Sequence, residues 1–250
     1  MIEVKDLCAG YNGKAVLKHL SATFPEGRVT AVLGPNGCGK TTLLKALCGI
    51  LPAQGQIQLD GADLTGLSPR DRAKRMAYLS QNRTVPDLTV DYLVLCGRYP
   101  HAGYRYTKAD EEAARSAMEA VGILDLADRP LTQLSGGQRQ KAYVAMALAQ
   151  DTPVILLDEP TTYLDIGHQL QLLRQLQALA GAGKTVVAVL HDLPAALGHA
   201  DHILLMDGGE AIVQGTPEEI FTSGMLSKVF GVSVHRFTVD GKPRYYCENE

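Results

Sequence analysis

The sequence predicts an α/β fold: a mixed, largely parallel sheet, an antiparallel β subdomain at the N-terminal end, and an α-helical subdomain inserted part-way along. Three observations predict it. Apolar runs of strand length ("VTAVL", "PVILLDEP", "KTVVAVLHD", "HILLMDGG") alternate with helical stretches, which is the pattern of a parallel sheet covered on both faces. Residues 1–33 are strand-rich and punctuated by turn chemistry, and residues 88–150 hold no convincing strand pattern.

In chain order, residues 1–33 read as short strands broken at "YNGK" and "FPEG", where Asn-Gly and Pro-x-Gly favour tight turns. "KTTLLKALCGI" has helical spacing and stops at Gly49 and Pro52. "GQIQLDG" alternates as an exposed strand, and "RMAYLSQ" is a short strand leading into a loop. Within 88–150, "TKADEEAARSAMEAVGI" forms a helix with Thr107 as its N-cap. After "PVILLDEP" come the helix "DIGHQLQLLRQLQALAGAG", the strand "KTVVAVLHD", a short helix and the strand "HILLMDGG". The last 35 residues mix a short helical segment with two possible strands. The whole chain, 1–250, forms one domain: 1–87 and 151–250 make a core with its β subdomain, and 88–150 make the helical insert.

Composition narrows the function. A chain of 250 residues, 46% of them apolar, can bury a substantial core. A net charge of -3 argues against a general nucleic-acid binder, whose affinity rests on clustered Lys and Arg. The apolar runs are far shorter than the ~20 residues that span a bilayer. "MIEVKDLCAG" lacks a basic region followed by an apolar one, so a cytoplasmic location is expected. The five cysteines are widely spaced without a C-x-x-C pair, which suits a reducing compartment rather than disulfides or zinc. His199 and His202 lack a third ligand and read as ordinary surface histidines.

Two stretches read as anion sites, and three strand ends add to the first of them. "VTAVLGPNGCGKTTLLKAL" places Gly34, Gly37, Gly39, Lys40 and Thr41 as G-x-x-x-x-G-K-T between a strand and a helix, the P-loop pattern. The glycines let backbone N–H groups surround phosphate oxygens, Lys40 reaches the β- and γ-phosphates, and Thr41 can ligate Mg²⁺. Asp158 and Glu159 follow an apolar strand, and strand ends are where open α/β sheets bind ligands. Asp158 would hold the Mg²⁺ shell, and Glu159 would orient or deprotonate water. Gln81 and His191 stand at two further strand ends and can converge on the same phosphate, metal and water. The second stretch, "LTQLSGGQRQKAYVAMALAQ", reads as another anion-binding helix start, with Ser135 as N-cap and Gly136 and Gly137 permitting close approach.

Together these motifs resemble the ATP-binding cassette (ABC) ATPases over essentially the whole chain, "LSGGQ" being similar to that family's signature motif. The resemblance implies a P-loop NTPase core that binds ATP with Mg²⁺. Asn36 and Thr42 fall within the P-loop stretch, and Tyr11 matches the residue that stacks on adenine. Gln81 matches the Q-loop, which also joins the metal set, and Asp158 and Glu159 the Walker B pair. Leu164 and Asp165 match the D-loop, and His191 the switch histidine. It also implies a head-to-tail homodimer, in which Ser135, Gly136, Gly137 and Gln138 of one chain close over the partner's ATP.

"PTTYLDIGHQ" and "LCGRYPHAGY" are similar to the ATPases of importers for iron-siderophore complexes, haem and cobalamin. That resemblance implies two membrane permease subunits, an indirect extracytoplasmic substrate-binding protein, and peripheral attachment to the cytoplasmic side of the cell membrane. Residues 82–104 are expected to form the permease-docking surface, so charge reversal at Arg98 is expected to weaken assembly while ATPase of the isolated subunit is largely kept. Two other classes compete. A P-loop GTPase or small-molecule kinase would leave "LSGGQ" unexplained and lacks the N-K-x-D motif. A non-transport cassette that works as an ATP-driven clamp often carries tandem cassettes or long insertions.

Overall fold

The computed structural model describes residues 1–81 and 84–249. It opens on a long hairpin, β1 (Ile2–Tyr11) and β2 (Lys14–Phe24), rather than several short strands. Asn12 and Gly13 both have positive φ (51° and 77°), the backbone a tight two-residue hairpin turn needs. β3 (Val29–Leu33) runs into the glycine-rich loop and helix α1 (Lys40–Leu47). β4 (Ala53–Leu59) and β5 (Ala62–Asp63) return to the first hairpin, giving an antiparallel sheet ordered β2-β1-β4-β5.

After α2 (Pro69–Ala73) and β6 (Met76–Leu79), helices α3 (Val90–Cys96), α4 (Lys108–Val121) and α5 (Gly136–Ala149) follow with only short 3₁₀ turns between α4 and α5. The chain then alternates β7 (Val154–Asp158), α6 (Ile166–Gly181), β8 (Thr185–Val189), α7 (Leu193–His199) and β9 (His202–Asp207). It ends with β10 (Glu210–Gly215), α8 (Pro217–Thr222), α9 (Met225–Phe230) and the hairpin β11 (Val232–Val239) and β12 (Lys242–Asn249). The main sheet is ordered β10-β9-β3-β8-β7-β6, parallel except for β10, which returns from β9 through a Gly208-Gly209 turn.

Alternation along the buried strands assigns the two faces of this sheet. Ala31, Leu33, Ile155, Leu157, Val186 and Ala188 pack with the helical insert, α6 and α7. Val32, Val154, Leu156, Val187 and Val189 pack with α1 and the inner face of the antiparallel sheet. One helix, α1, is thus gripped between two sheets through Leu43, Leu44 and Leu47, so the loop before it has a rigid base.

The structure corrects the place of Arg98. It is an internal tie rather than an exposed charge: Nε donates to Asp110 Oδ1 at 3.0 Å and Nη1 to the Ala149 carbonyl at 2.9 Å, joining the turn after α3 to α4 and α5. His101 reaches the neighbouring Gln150 carbonyl at 2.8 Å. The Asp110 carboxyl is held down to about 2 from 3.8, first by the Thr107 backbone N–H, then by the Thr107 hydroxyl and Arg98. Because the folded value is the lower one, this contribution to stability is complete above the unfolded value and is lost as pH falls from about 3.8 to about 2. Arg98→Glu should cost ~3 kcal/mol, since it leaves two like charges where a mostly buried pair stood. Urea unfolding of the variant measures this directly; a midpoint equal to wild type would refute the tie.

Candidate active site

The P-loop glycines have steric reasons. A Cβ on Gly34 would lie 2.2 Å from the Met206 carbonyl oxygen, and Gly39, at φ 108°, immediately precedes α1 with Leu17 packed 2.9 Å from where its Cβ would stand. The Lys40 ammonium is buried and donates to the carbonyls of Gly34 (2.7 Å) and Pro35 (2.9 Å), which leaves one of its three donors for a ligand. Around it lies a pocket of about 550 Å³ lined by Val16, Asn36, Gly37, Gly39, Lys40, Thr41, Thr42, Gln81, Glu159 and His191.

Parallel pairing of β6, β7 and β8 brings their carboxyl ends level, with Leu79 beside Leu157 and Asp158 beside Val189. The residues just beyond those ends therefore meet. Glu159 Oε1 lies 2.6 Å from His191 Nε2, and Glu159 Oε2 accepts from Gln81 Nε2 at 2.6 Å and from the Thr162 hydroxyl at 3.3 Å. Both carboxylate oxygens are thus oriented, by Gln81 and His191 from two other segments and by Thr162 from the same turn. The backbone of Glu159 is left-handed (φ 53°), an uncommon conformation for a non-glycine residue and one that recurs at functional turns.

Asp158 is fully buried and accepts from the Thr41 hydroxyl (3.1 Å) and the Tyr78 hydroxyl (3.3 Å). Burial pushes its carboxyl above the ordinary value, opposed by those two hydroxyls. Burial likewise raises the Tyr78 phenol, and the neighbouring Asp158 charge adds to that. Thr41 and Asp158 present adjacent oxygen donors, which suits the hard Mg²⁺ ion held jointly by a few protein oxygens and substrate phosphates. Among the described residues no group of three or more His, Cys, Asp or Glu is placed so that it could hold a metal ion. Tyr78, Thr162 and Val16 were not singled out from the sequence; Thr162, three residues beyond Glu159 in "EPTT", was the most findable.

Tyr11 ends β1 half-exposed, with the Lys45 ammonium 5.9 Å from its ring centroid, and does not line the pocket. Gly34 and Asp158 are also absent from the lining, standing behind it as supports.

The second glycine-rich stretch builds a different pocket. Ser135 caps α5, its hydroxyl accepting from Gln138 N at 3.2 Å while Gln138 Oε1 accepts from Ser135 N at 3.0 Å. Its hydroxyl proton is left to donate. Ser135, Gly136, Gly137 and Gln138 line a pocket of about 530 Å³ with Lys141, Tyr163, Asp165 and His168, among others. Asp165 caps α6, accepting from His168 N at 2.9 Å and bonding its ring at 2.8 Å. The two pockets share no lining residue. His199 bonds the Ala195 carbonyl within α7 at 3.0 Å, and the five cysteines are free thiols.

The family model described as ABC transporter matches residues 17–162. The ferric enterobactin transport ATP-binding protein FepC of Escherichia coli (strain K12) is 46% identical over 91% of this chain and 86% of its own. A solved ABC transporter structure described as of metal-chelate type, in an inward-facing conformation, superposes with a TM-score of 0.84 at 30% identity, covering 99% of this chain and 96% of that one. The ATP-binding cassette MJ0796, solved as a dimer in a post-hydrolysis state bound to ADP and Pi, superposes with a TM-score of 0.78 at 25% identity, covering 87% of this chain and 99% of that one.

Proposed function

The chain belongs to the ABC transporter family, and from that premise we propose that it is the ATP-hydrolysing subunit of an importer for ferric chelates, the cargo class of iron-siderophore complexes. Haem and cobalamin are chelates of the same general kind. The observation that carries the reading is the 46% identity to a ferric enterobactin transport protein across nearly all of both chains, supported by Lys40, Gln81, Glu159 and His191 lining one pocket.

ATP hydrolysis follows from the geometry. The P-loop N–H groups and Lys40 would hold the triphosphate, and Tyr11 would offer a face to the adenine. Thr41, Asp158 and Gln81 would hold Mg²⁺, which neutralises phosphate charge when bound. Glu159, kept in one orientation by Gln81, Thr162 and His191, would take a proton from water as the water oxygen bonds to the γ-phosphorus and ADP departs. His191, bonded to the same carboxylate, would align it and share the proton. Ser135 and Gly137 would meet the γ-phosphate of a second copy's nucleotide, helped by the positive end of α5, because the chain's two anion pockets are separate.

No helix among the described residues is long and apolar enough to cross a membrane, so attachment to the cytoplasmic membrane face would run through two permease subunits. An extracytoplasmic binding protein would act on those permeases and touch this chain only indirectly. Within 82–104, Asn82 and Arg83 lie outside the described residues, and Arg98 is internal. Tyr92, Tyr99 and Tyr104 are the segment's outward aromatics, at 50%, 73% and 108% exposure. Tyr99→Asp with Tyr104→Asp should weaken pull-down by the cognate permease at least about tenfold, as loss of interface aromatics does, while ATPase of the isolated chain is kept. Unchanged capture would remove the docking assignment. The cargo is tested by reconstituting the chain with its permease and measuring ATP-dependent uptake of radiolabelled ferric siderophore, haem and cobalamin; uptake of none of them would sink the importer reading.

A further inference from the structure

β7 ends on a carboxylate whose two oxygens are held separately. Asp158 is fully buried; its Oδ1 accepts from the Thr41 hydroxyl at 3.1 Å and its Oδ2 from the Tyr78 hydroxyl at 3.3 Å. Both donors are neutral, and among the described residues no Lys, Arg or His forms a salt bridge with Asp158. No resident cation therefore competes for these oxygens with an incoming metal.

Strand register puts Tyr78 there. It stands opposite Leu156 on β7, and Leu156 and Asp158, two residues apart on one strand, point to the same face of the sheet. That is the face covered by α1, where Tyr78 and Leu156 pack in one apolar cluster with Leu43, Leu44 and Leu47, and where Thr41 lies in the first turn of the helix. The ring alone would satisfy that packing; a leucine at position 78 would fill the cluster and donate nothing. The hydroxyl is the part of this side chain that packing leaves unexplained.

The chemistry of the donors supplies a use for it. Thr41 gives its single hydroxyl proton to Asp158 Oδ1, which leaves its oxygen lone pairs for a metal. That arrangement lasts only while the carboxylate keeps its orientation. Rotation about its Cβ–Cγ bond would withdraw Oδ1 from Thr41, and the bond from Tyr78 to Oδ2 opposes the rotation.

We propose that Tyr78 is a positioning residue for the metal of the P-loop pocket: its hydroxyl fixes the Asp158 carboxylate so that Asp158 and Thr41 present their oxygens together to Mg²⁺. Tyr78 does not line the pocket, so it acts through Asp158 and not on the nucleotide. The inference deepens the reading of Thr41 and Asp158 as the Mg²⁺ site and rests on it.

Tyr78→Phe deletes the hydroxyl and keeps the ring. Mn²⁺, a paramagnetic stand-in for Mg²⁺, is titrated into the full chain with ADP present, and bound metal is read by electron paramagnetic resonance. The dissociation constant for Mn²⁺ should rise about tenfold, the lower end of what groups behind a metal's ligands contribute. Affinity for a fluorescent ADP analogue in EDTA should be unchanged, which also shows that the variant is folded. The Mg²⁺ concentration for half-maximal ATPase should rise in parallel, with kcat at saturating Mg²⁺ close to wild type. Unchanged Mn²⁺ affinity, or an equal loss of nucleotide affinity with and without metal, would overturn the positioning role and leave the metal site standing. Thr41→Val separates the two readings: if it too leaves Mn²⁺ affinity unchanged, the Mg²⁺ site itself is misassigned and the role of Tyr78 falls with it.

Discussion

Glu159→Gln should lose on the order of 10²- to 10⁴-fold in turnover while retaining ATP, the range expected when a general base is removed from a site that otherwise stays intact. Retention follows from the surroundings of the side chain. The P-loop pocket is built by Gly37, Gly39, Lys40 and Thr41, and the substitution alters none of their contacts. A neutral amide fills nearly the same volume, and its carbonyl can still accept from Gln81 or Thr162. It cannot take a proton from water. Unhydrolysed ATP then keeps two chains together, and size-exclusion chromatography with MgATP should show a stable dimer where wild type passes through one transiently. A variant that stays monomeric and hydrolyses at the wild-type rate would remove Glu159 from the mechanism.

The second large effect separates action on a chain's own nucleotide from action on its neighbour's. Lys40→Ala removes the buried ammonium of the P-loop pocket, and Ser135→Arg places a bulky side chain at the cap of α5, in the other pocket. Each homodimer, with Glu159→Gln also present, should trap little ATP. In a verified mixed dimer, one chain carrying Lys40→Ala and the other Ser135→Arg, trans action leaves one site with both defects and one with neither. Trapping should then approach one ATP per two chains. If the cap of α5 instead acts on its own chain, neither site is whole and the mixture traps no more than either homodimer. Because the readout is bound nucleotide, it does not depend on whether hydrolysis needs both sites.

Much of this site is legible before folding because its pieces are local. The G-x-x-x-x-G-K-T run, the Ser135-to-Gln138 capping box and the Asp165 cap are set by residues within a few positions of one another, and steric and hydrogen-bonding rules act over that range. The strand ends that meet at Glu159 are legible for a similar reason. A short apolar run followed by polar residues marks where a buried strand meets solvent, and Gln81, Asp158 and His191 each follow such a run.

What the chain by itself determined, then, was its periodicities, its caps and its phosphate loop. Only the tertiary structure decided which distant groups face each other. The closing of Gln81 and His191 on the two oxygens of Glu159 depends on the register of three parallel strands. Tyr78 joins Asp158 because adjacent strands place it there, and no local pattern marks a tyrosine as a partner for a carboxylate. Arg98 reads as a surface charge after "LCG" but is drawn inward by Asp110 and the end of α5, groups 12 and 51 residues away. The antiparallel edge β10 and the separation of the P-loop pocket from the pocket at the cap of α5 are equally non-local. Side-chain pairing energies between distant segments depend on burial and register, and those exist only after the layers have packed.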